Sequence, residues 1–165
     1  MHIHAHTERL LIRPIALQDN QFLHELMQTK GWQTYIGDRG VRNAQDAEAY
    51  IGKIRRNQQF FYHLMLQKDT QTAVGVLTFL KRDAYEAYDL GFALLPKYQG
   101  QGLAFEASSH YLQLLANAKQ HGKVLAITLV QNTASIRLLE KLGFLWQQEQ
   151  IEDSQRLALY ARSLP

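Results

Sequence analysis

Two glycines separated by one residue stand where a strand gives way to a helix, in the stretch YQGQGLAFEA at residues 98–107. The apolar run before it, YDLGFALLP, is typical of a strand, and the run after it, SSHYLQLLANAKQHG, is typical of a helix. A helix N-terminus leaves backbone N–H groups unpaired and carries a partial positive charge, so it attracts phosphate. Glycine allows the anion to approach the backbone closely. The stretch therefore predicts a phosphate-binding turn.

Two common phosphate-binding motifs do not fit this stretch. A nucleoside triphosphate loop needs Lys followed by Ser or Thr after its glycine run, whereas Gly102 is followed by Leu-Ala. A dinucleotide fingerprint needs a third glycine at the position of Phe105. The sequence thus disfavours a nucleoside triphosphate and NAD as the ligand.

A third motif fits both this stretch and a later one. Residues 99–104, QGQGLA, resemble the Q/R-x-x-G-x-G/A signature of the GNAT acyltransferase superfamily, whose members bind acetyl-CoA. Residues 132–144, NTASIRLLEKLGF, are similar to the second segment of that superfamily. The opening TERLLIRP, the loop IGDRGVRNAQDAEAYI and the strand DLGFALLP extend the resemblance over nearly the whole chain. These details look most like the Rim-type branch of ribosomal-protein N-terminal acetyltransferases, which also includes enzymes acting on small amines.

The resemblance implies that acetyl-CoA is the co-substrate and that no metal is required. It implies that the backbone of the turn holds the CoA pyrophosphate and that the preceding strand pairs with the pantetheine arm. Asn132 would bind the same arm, although its side chain could also cap the helix that begins at Thr133. The cofactor-binding residues predicted in this way are Phe92, Ala93, Leu94, Leu95, Gln99, Gly100, Gln101, Gly102, Leu103, Ala104, Asn132 and Ser135.

The implied reaction is amide formation, which needs a base for the amine and an N–H group facing the oxyanion. Asp89 takes the place of a glutamate that many family members carry before this strand, so we expect it to be the base. Its shorter side chain would need a bridging water, Glu86 is the alternative base, and a solvated surface charge is the competing interpretation. By analogy, the Leu94 N–H faces the oxyanion.

The general acid is less well defined by the resemblance. Many family members carry a tyrosine where this chain has Leu139, and leucine cannot donate a proton. Ser135 is the candidate substitute, because a hydroxyl group can pass on a proton. The CoA thiol is also acidic enough for the reaction to proceed without a dedicated acid.

The loop GWQTYIGDRG at residues 31–40 is predicted to roof the acceptor site, with ordinary loop packing as the alternative. Its aromatic residues and one charged pair suit an amine. The sequence does not distinguish a protein N-terminus from a polyamine, an amino acid or an antibiotic amine. The substrate-binding residues predicted are Trp32, Tyr35, Asp38, Arg39 and Tyr88.

The elements that must position these residues alternate along the chain. The hydrophobic periodicity predicts the order β-α-α-β-β-β-α-β-α-β-β, with residues 31–40 as a loop. Three consecutive strands indicate a mixed α+β sheet with antiparallel hairpins and at least one parallel crossover. With the GNAT resemblance, this predicts a three-layer fold in which about seven strands are flanked by four helices.

The composition limits the remaining possibilities. The 165 residues, 46% hydrophobic and 20% charged, predict a single domain spanning 1–165. The absence of cysteine excludes disulfides, thiolate metal sites and a cysteine nucleophile. A net charge of +3 without a long basic block gives little support to nucleic acid as a partner. His2, His4 and His6 would share one face of a strand and could hold a metal, but we expect a frayed N-terminus.

No signal peptide and no apolar run of roughly 20 residues is present, so we expect a cytoplasmic protein without a membrane partner. Exposed strands near the C-terminus are compatible with a monomer or a homodimer. The function predicted is an acetyl-CoA-dependent N-acetyltransferase that transfers the acetyl group directly to a primary amine. The alternative is a non-catalytic module that binds or senses acyl-CoA, which the missing tyrosine favours.

Overall fold

The computed structural model describes residues 1–165. None of its helices has the length and apolar composition that crossing a bilayer requires. The strands are β1 (Ala5–His6), β2 (Leu10–Pro14), β3 (Phe60–Gln67), β4 (Ala73–Leu80), β5 (Asp89–Leu94), β6 (Lys123–Leu129), β7 (Leu145–Glu152) and β8 (Gln155–Ser163). The helices are α1 (Asn20–Met27), α2 (Lys30–Tyr35), α3 (Ala44–Arg56), α4 (Leu103–Ala118) and α5 (Thr133–Lys141), and two 3₁₀ turns span Leu17–Asp19 and Pro96–Tyr98.

All eight strands form one sheet in the order β1-β2-β3-β4-β5-β6-β8-β7. Neighbouring strands are antiparallel throughout, except for the parallel pair β5 and β6. Helix α4 supplies the crossover that a parallel connection requires. The predicted mixed α+β fold is confirmed, with eight strands rather than about seven and five α-helices rather than four.

The sheet lies between two layers of helices, because side chains alternate between the two faces of each strand. One face packs against α4 and α5, and the other packs against α1, α2 and α3. The first core includes Leu10, Met65, Phe79, Leu90, Tyr111 and Leu139, and the second includes Leu23, Met27, Ile51, Leu64 and Val76.

The extra strand β1 belongs to an N-terminal segment for which the sequence predicts fraying, and it is instead fixed to the sheet. The Ile3 N–H donates to Nε2 of the fully buried His63 at 3.2 Å, and the Tyr111 hydroxyl donates to the Met1 carbonyl at 2.8 Å. Burial of Ile3 and Ala5 adds apolar contacts on the same side. The exposed positions of this alternating segment are His2, His4 and His6, which are not gathered into a metal-binding group.

The extra helix α2 lies in the stretch that the sequence predicts as a loop. The Thr29 hydroxyl caps it by accepting a hydrogen bond from the Trp32 N–H at 3.3 Å. Trp32 is buried against α1 and α3, with only 5% of its surface exposed. Gly31 lowers the intrinsic helix propensity of this stretch, so the helix depends on tertiary burial of Trp32.

Candidate active site

The parallel strands β5 and β6 pair at one end only. The Leu125 N–H donates to the Tyr88 carbonyl at 2.9 Å, and Asp89 opposite Leu125 is the only pair in register. Backbone groups alternate in direction along a strand, so those of even-numbered β5 residues point toward β6. Beyond the paired end they point into a gap between the two strands.

This register narrows the predicted contacts with the pantetheine arm. Phe92 and Leu94 direct their backbone groups into the gap, whereas Ala93 and Leu95 direct theirs toward β4, where the Leu95 N–H donates to the Val74 carbonyl at 2.9 Å. Of the four residues predicted to pair with the arm, Ala93 and Leu95 are therefore paired with β4, and only Phe92 and Leu94 present backbone groups to the gap. The Leu94 carbonyl accepts a hydrogen bond from the Gln99 side chain at 3.2 Å, while the Leu94 N–H faces the gap.

The turn from β5 to α4 presents a row of unpaired backbone donors. No protein acceptor is paired with the N–H groups of residues 100–105, and the first bond of α4 is donated by the Glu106 N–H to the Gly102 carbonyl at 3.0 Å. The Gln99 N–H is used within the preceding 3₁₀ turn, where it bonds to the Pro96 carbonyl at 3.2 Å. Of the residues 99–104 predicted to hold the pyrophosphate, Gln99 therefore has no free N–H group, whereas residues 100–104 have one each. Phe105, which was not in the predicted set, also has a free N–H group.

Both glycines of the turn are needed for its backbone conformation. Gly100 has φ of +75° and Gly102 has φ of +79°, values that side-chain-bearing residues rarely adopt. A Cβ at Gly100 would meet nothing within 4 Å, so it would project into the open space beside the unpaired amides. Gly102 is the N-cap of α4. The glycines therefore both shape the turn and leave room for an anion.

The start of α5 fits both interpretations of Asn132. Its side-chain oxygen accepts a hydrogen bond from the Ser135 N–H at 3.3 Å, so it caps the helix. The amide NH₂ of Asn132 keeps its donors for another partner. Ser135 is half-buried, whereas Leu139 is buried in the core at 2% exposure.

Asp89 is a buried carboxylate rather than a solvated one. It is 5% exposed, and its two oxygens accept hydrogen bonds of 2.9 Å from Nε and Nη2 of Arg82. Burial raises the pKa of Asp89 above its ordinary value, and the hydrogen bonds and charge of Arg82 oppose that rise. Two further lone-pair positions on the carboxylate stay available for a water or an amine.

Glu86, the alternative base, lies in the loop between β4 and β5. Its side chain is 75% exposed and forms an ion pair with Lys123. The hydrogen bond and charge of Lys123 lower the pKa of Glu86. A carboxylate with a lowered pKa and free access to water is a weaker proton acceptor than a buried one.

The structure does not bring together the residues predicted to cover the acceptor site. Trp32 lies in the core, while Tyr35 is exposed at the end of α2. Asp38 forms its ion pair with Arg42, at 2.6 Å between Oδ2 and Nη2, and not with the exposed Arg39. Of the predicted set on this segment, Tyr35, Asp38 and Arg39 remain on the surface.

Tyr88 does not share a face of the sheet with Asp89, contrary to its predicted role in the acceptor pocket. Its ring stacks on Phe79 with the centroids 4.6 Å apart, on the side that packs against α4. Consecutive strand residues point to opposite faces, so Tyr88 and Asp89 are separated by the sheet. Tyr85 lies on the Asp89 side instead, under the guanidinium of Arg82.

Two polar residues missed by the sequence analysis lie on the same face as Asp89. Thr78 is opposite Gly91, Tyr62 is opposite Thr78, and the Tyr62 hydroxyl is 3.4 Å from that of Tyr50. Burial raises the pKa of Tyr62 well above its ordinary value, so the group keeps its proton. Neither residue lies in a motif, and only the strand register could have placed them here.

The diverging strands and the turn of unpaired amides agree with the acetyltransferase class that the sequence resembles. Residues 9–145 match the family described as Acetyltransferase (GNAT) domain. The chain belongs to this family and is an N-acetyltransferase. Enzymes of this family take the acetyl group from acetyl-CoA.

Two relatives illustrate the range of similarity. The chain is 28% identical over 141 residues to the uncharacterized N-acetyltransferase YnaD of Bacillus subtilis (strain 168), covering 86% of this chain and 82% of the relative. It is 27% identical over 116 residues to the ribosomal protein uS5-alanine N-acetyltransferase of Escherichia coli (strain K12). That second match covers 69% of this chain and 54% of the relative.

Solved structures share the fold at lower identity. An acetyltransferase (GNAT family) from Bacillus anthracis superposes with a TM-score of 0.84 at 24% identity, covering 98% of both chains. Spermidine N-acetyltransferase from Vibrio cholerae, solved in complex with CoA and spermine, has a TM-score of 0.81 at 15% identity, covering 94% of this chain and 96% of that chain. At these identities the likeness concerns the fold alone.

Proposed function

We propose that this protein transfers the acetyl group of acetyl-CoA directly to a primary amine, either the α-amine of a protein N-terminus or the amine of a small molecule. We place this activity in the cytoplasm. The observation that carries the proposal is the row of unpaired N–H groups at residues 100–105, next to the gap between β5 and β6. A pyrophosphate fits the first feature and an amide-bearing arm fits the second.

The turn binds the pyrophosphate through the backbone, which suits a chain with no phosphate-binding lysine in its motif. Amides preceding a helix combine hydrogen bonding with the positive end of the helix dipole. The pantetheine arm pairs with Phe92 and Leu94, and the free amide group of Asn132 donates to it from the other side of the gap. This arrangement supplies an activated acetyl thioester at the edge of β5.

Asp89 accepts the proton of the incoming ammonium through a bridging water. Its carboxylate is buried, fixed by Arg82 and retains lone pairs on the side away from the guanidinium. The neutral amine then attacks the thioester carbonyl, and the Leu94 N–H stabilises the oxyanion that forms. The carbon–sulfur bond breaks, the CoA thiolate leaves, and the nitrogen, which carries two protons after the attack, gives one of them to the thiolate or to water.

The Ser135 N–H donates to the side chain of the cap residue Asn132 at 3.3 Å, and we assign the Ser135 hydroxyl the proton transfer to the departing sulfur. Leu139 is buried and apolar, so the tyrosine position of other family members contributes no proton here. This role is dispensable if the thiolate leaves unprotonated. Loss of the Ser135 hydroxyl therefore lowers the rate less than loss of the Asp89 carboxylate.

The acceptor approaches over the face of the sheet that carries Asp89, Thr78 and Tyr62. Hydroxyl groups and a carboxylate on this face suit an ammonium group. One relative is an alanine N-acetyltransferase of ribosomal protein uS5, and a structural neighbour is a spermidine N-acetyltransferase. These two acceptors represent the two classes that the proposal allows.

The test is calorimetric titration of the purified protein with acetyl-CoA, CoA and NADH, followed by assay of thiol release with an amine panel. The panel contains a short peptide beginning with alanine, spermidine, free amino acids and an aminoglycoside. We expect binding of acetyl-CoA and CoA, no binding of NADH, and thiol release that depends on one acceptor class. Binding without turnover on any amine would favour the acyl-CoA-sensing alternative, and absence of acetyl-CoA binding would refute the proposal.

A further inference from the structure

Helix α4 begins next to an ion pair that connects it to the N-terminal strands. Glu106, in the first turn of α4, accepts three hydrogen bonds from the segment between β1 and β2. The Thr7 hydroxyl donates to Oε1 at 2.6 Å, the Arg9 N–H donates to Oε1 at 2.7 Å, and Arg9 Nε donates to Oε2 at 2.7 Å. Residues separated by 97 positions are thus joined at the base of the phosphate-binding turn.

The same arginine reaches the turn itself. Arg9 Nη1 donates to the carbonyl of Gln101 at 2.8 Å, and Nη2 lies 3.4 Å from the position that a Cβ on Gly102 would take. The C=O and N–H of a trans peptide point in opposite directions. Because Arg9 holds the Gln101 carbonyl on its own side, the Gly102 N–H points away from Arg9 and toward the open side of the turn.

A turn of this composition needs such a restraint. Gly100 and Gly102 flank Gln101, the N–H of Gly102 belongs to the peptide that follows Gln101, and glycine permits several backbone conformations at little cost. Rotation of that peptide would exchange a donor for an acceptor at the position where a phosphate binds. The paired Glu106 carboxylate is also held against Arg9, which offsets its repulsion of a phosphate.

We propose that Arg9, held by Glu106, is a positioning residue that fixes the amide donors of the turn for the pyrophosphate of acetyl-CoA. The inference rests on the proposed binding of acetyl-CoA and adds the residues that organise its site. Its competing interpretation is a purely structural tie between β2 and α4. If Arg9 positions the amide donors, removing it weakens only the binding of the pyrophosphate part of the co-substrate. If Arg9 is only a structural tie, its removal shows no such selectivity.

The experiment compares Arg9→Gln and Glu106→Gln with wild type, using CoA, 3′-dephospho-CoA and pantetheine as probes. Calorimetry measures Kd for the two nucleotides, and chemical-shift titration of ¹⁵N-labelled protein measures the weaker binding of pantetheine. Losing the charge-assisted bonds should raise Kd for both pyrophosphate-containing probes by about tenfold. Pantetheine lacks the pyrophosphate, so its Kd should stay unchanged.

Arg13→Gln is the matched control, because Arg13 lies on β2, four residues after Arg9, and forms a bidentate ion pair with Asp19 at 2.8 Å instead of bonding to the turn. Arg9→Lys, which keeps the charge and one donor, serves as the second variant if Arg9→Gln fails to fold. We expect Arg9→Lys to lose less affinity for CoA and 3′-dephospho-CoA than Arg9→Gln does, and to bind pantetheine as the wild type does.

The outcomes separate the inference from the proposed function. Unchanged Kd for CoA in folded Arg9 variants, or an equal loss for pantetheine, would overturn the positioning role while leaving acetyl-CoA binding intact. Equal losses in Arg13→Gln would also overturn it. Wild-type protein that binds no CoA would refute the proposed function and the inference together.

Discussion

Both oxygens of the Asp89 carboxylate accept hydrogen bonds of 2.9 Å from the guanidinium of Arg82. Arg82 in turn lies over the ring of Tyr85, with 5.2 Å between Cζ and the ring centroid. The Tyr85 hydroxyl contacts Gln150 and Glu152 on β7. The environment of the proposed base is therefore set by a loop and a distant strand as well as by its own position on β5.

Arg82→Gln should move the acid limb of the pH–rate profile to higher pH. Burial raises the pKa of Asp89 and Arg82 opposes that rise, so removing the guanidinium leaves the effect of burial unopposed. The base works only when ionised, hence activity should be lost at a higher pH as the solution is acidified. The measurement is kcat/KM against pH, together with ¹³C NMR titration of the Asp89 carboxyl.

Arg82→Lys retains the positive charge and should shift the limb less than Arg82→Gln. The Asp89 signal is assigned as the one missing from the spectrum of Asp89→Asn. This account of the ion pair would be contradicted if Arg82→Gln left both the acid limb of the pH–rate profile and the titration of the Asp89 carboxyl at their wild-type pH.

Asp89→Asn should lower kcat by about 10²-fold while leaving the Kd for CoA near its wild-type value. Asparagine keeps the size of the side chain but cannot accept the proton of the ammonium. Steady-state rates and calorimetry with CoA provide the two measurements. Glu86→Gln is the matched control, because Glu86 is exposed and paired with Lys123, and its kcat should be unchanged. The reverse result would assign the base to Glu86.

Gly100→Ala should weaken CoA binding on the order of tenfold or more, because its Cβ would occupy the open side of the turn. Gly40→Ala is a close control, since both glycines have φ of +75° and no atom within 4 Å of an added Cβ. Both variants should lose about 1 kcal/mol of stability from the same backbone strain. Equal CoA affinity in the two variants would count against a pyrophosphate at residues 100–105.

Gly91→Ala should destabilise the protein by roughly 1–3 kcal/mol, because its Cβ would lie 2.6 Å from the hydroxyl oxygen of Thr78. The double variant Gly91→Ala with Thr78→Ala removes that oxygen and should regain most of the loss. Urea denaturation measures the free energy of unfolding in each case. Gly122→Ala, where an added Cβ meets nothing within 4 Å, should be neutral. A double variant no more stable than Gly91→Ala would show that the clash lies elsewhere.

Stability should fall in acid because of His63. Its buried ring accepts from the Ile3 N–H and contacts the Leu77 carbonyl, and burial, with the nearby His2 charge, lowers its pKa to about 3. Since this folded-state pKa lies below the ordinary 6.5, the unfolded chain takes up the proton first. The contribution is complete above about pH 6.5 and is lost progressively toward pH 3, by about 5 kcal/mol at most.

His63→Gln keeps one acceptor and one donor but does not titrate, so it is the variant that isolates this effect. Urea denaturation between pH 7 and pH 4 should show a flatter dependence in His63→Gln than in wild type. Identical slopes for the two proteins would assign the acid sensitivity to other groups.

The sequence allowed the family, the order of the main elements and the glycine turn before α4 to be predicted, because these depend on local patterns. Helix α2 was missed because Gly31 disfavours a helix locally, while burial of Trp32 imposes one. Side-chain pairings between segments that are distant in sequence could not be predicted, because they produce no local sequence pattern. The bonds from Arg9 to Glu106 and from Arg82 to Asp89 depend on which loops the fold brings together.

The one-ended pairing of β5 and β6 also divides the sheet into two antiparallel wings, β1–β5 and β6–β8. Few backbone bonds cross the seam, so the wings are held together mainly by helices packed over it. A ligand arm whose amides bond to Phe92 and Leu94 would take the place of a missing strand there. The co-substrate would then be a structural part of the enzyme as well as its reagent, and amide hydrogen exchange along β5 would slow when it binds.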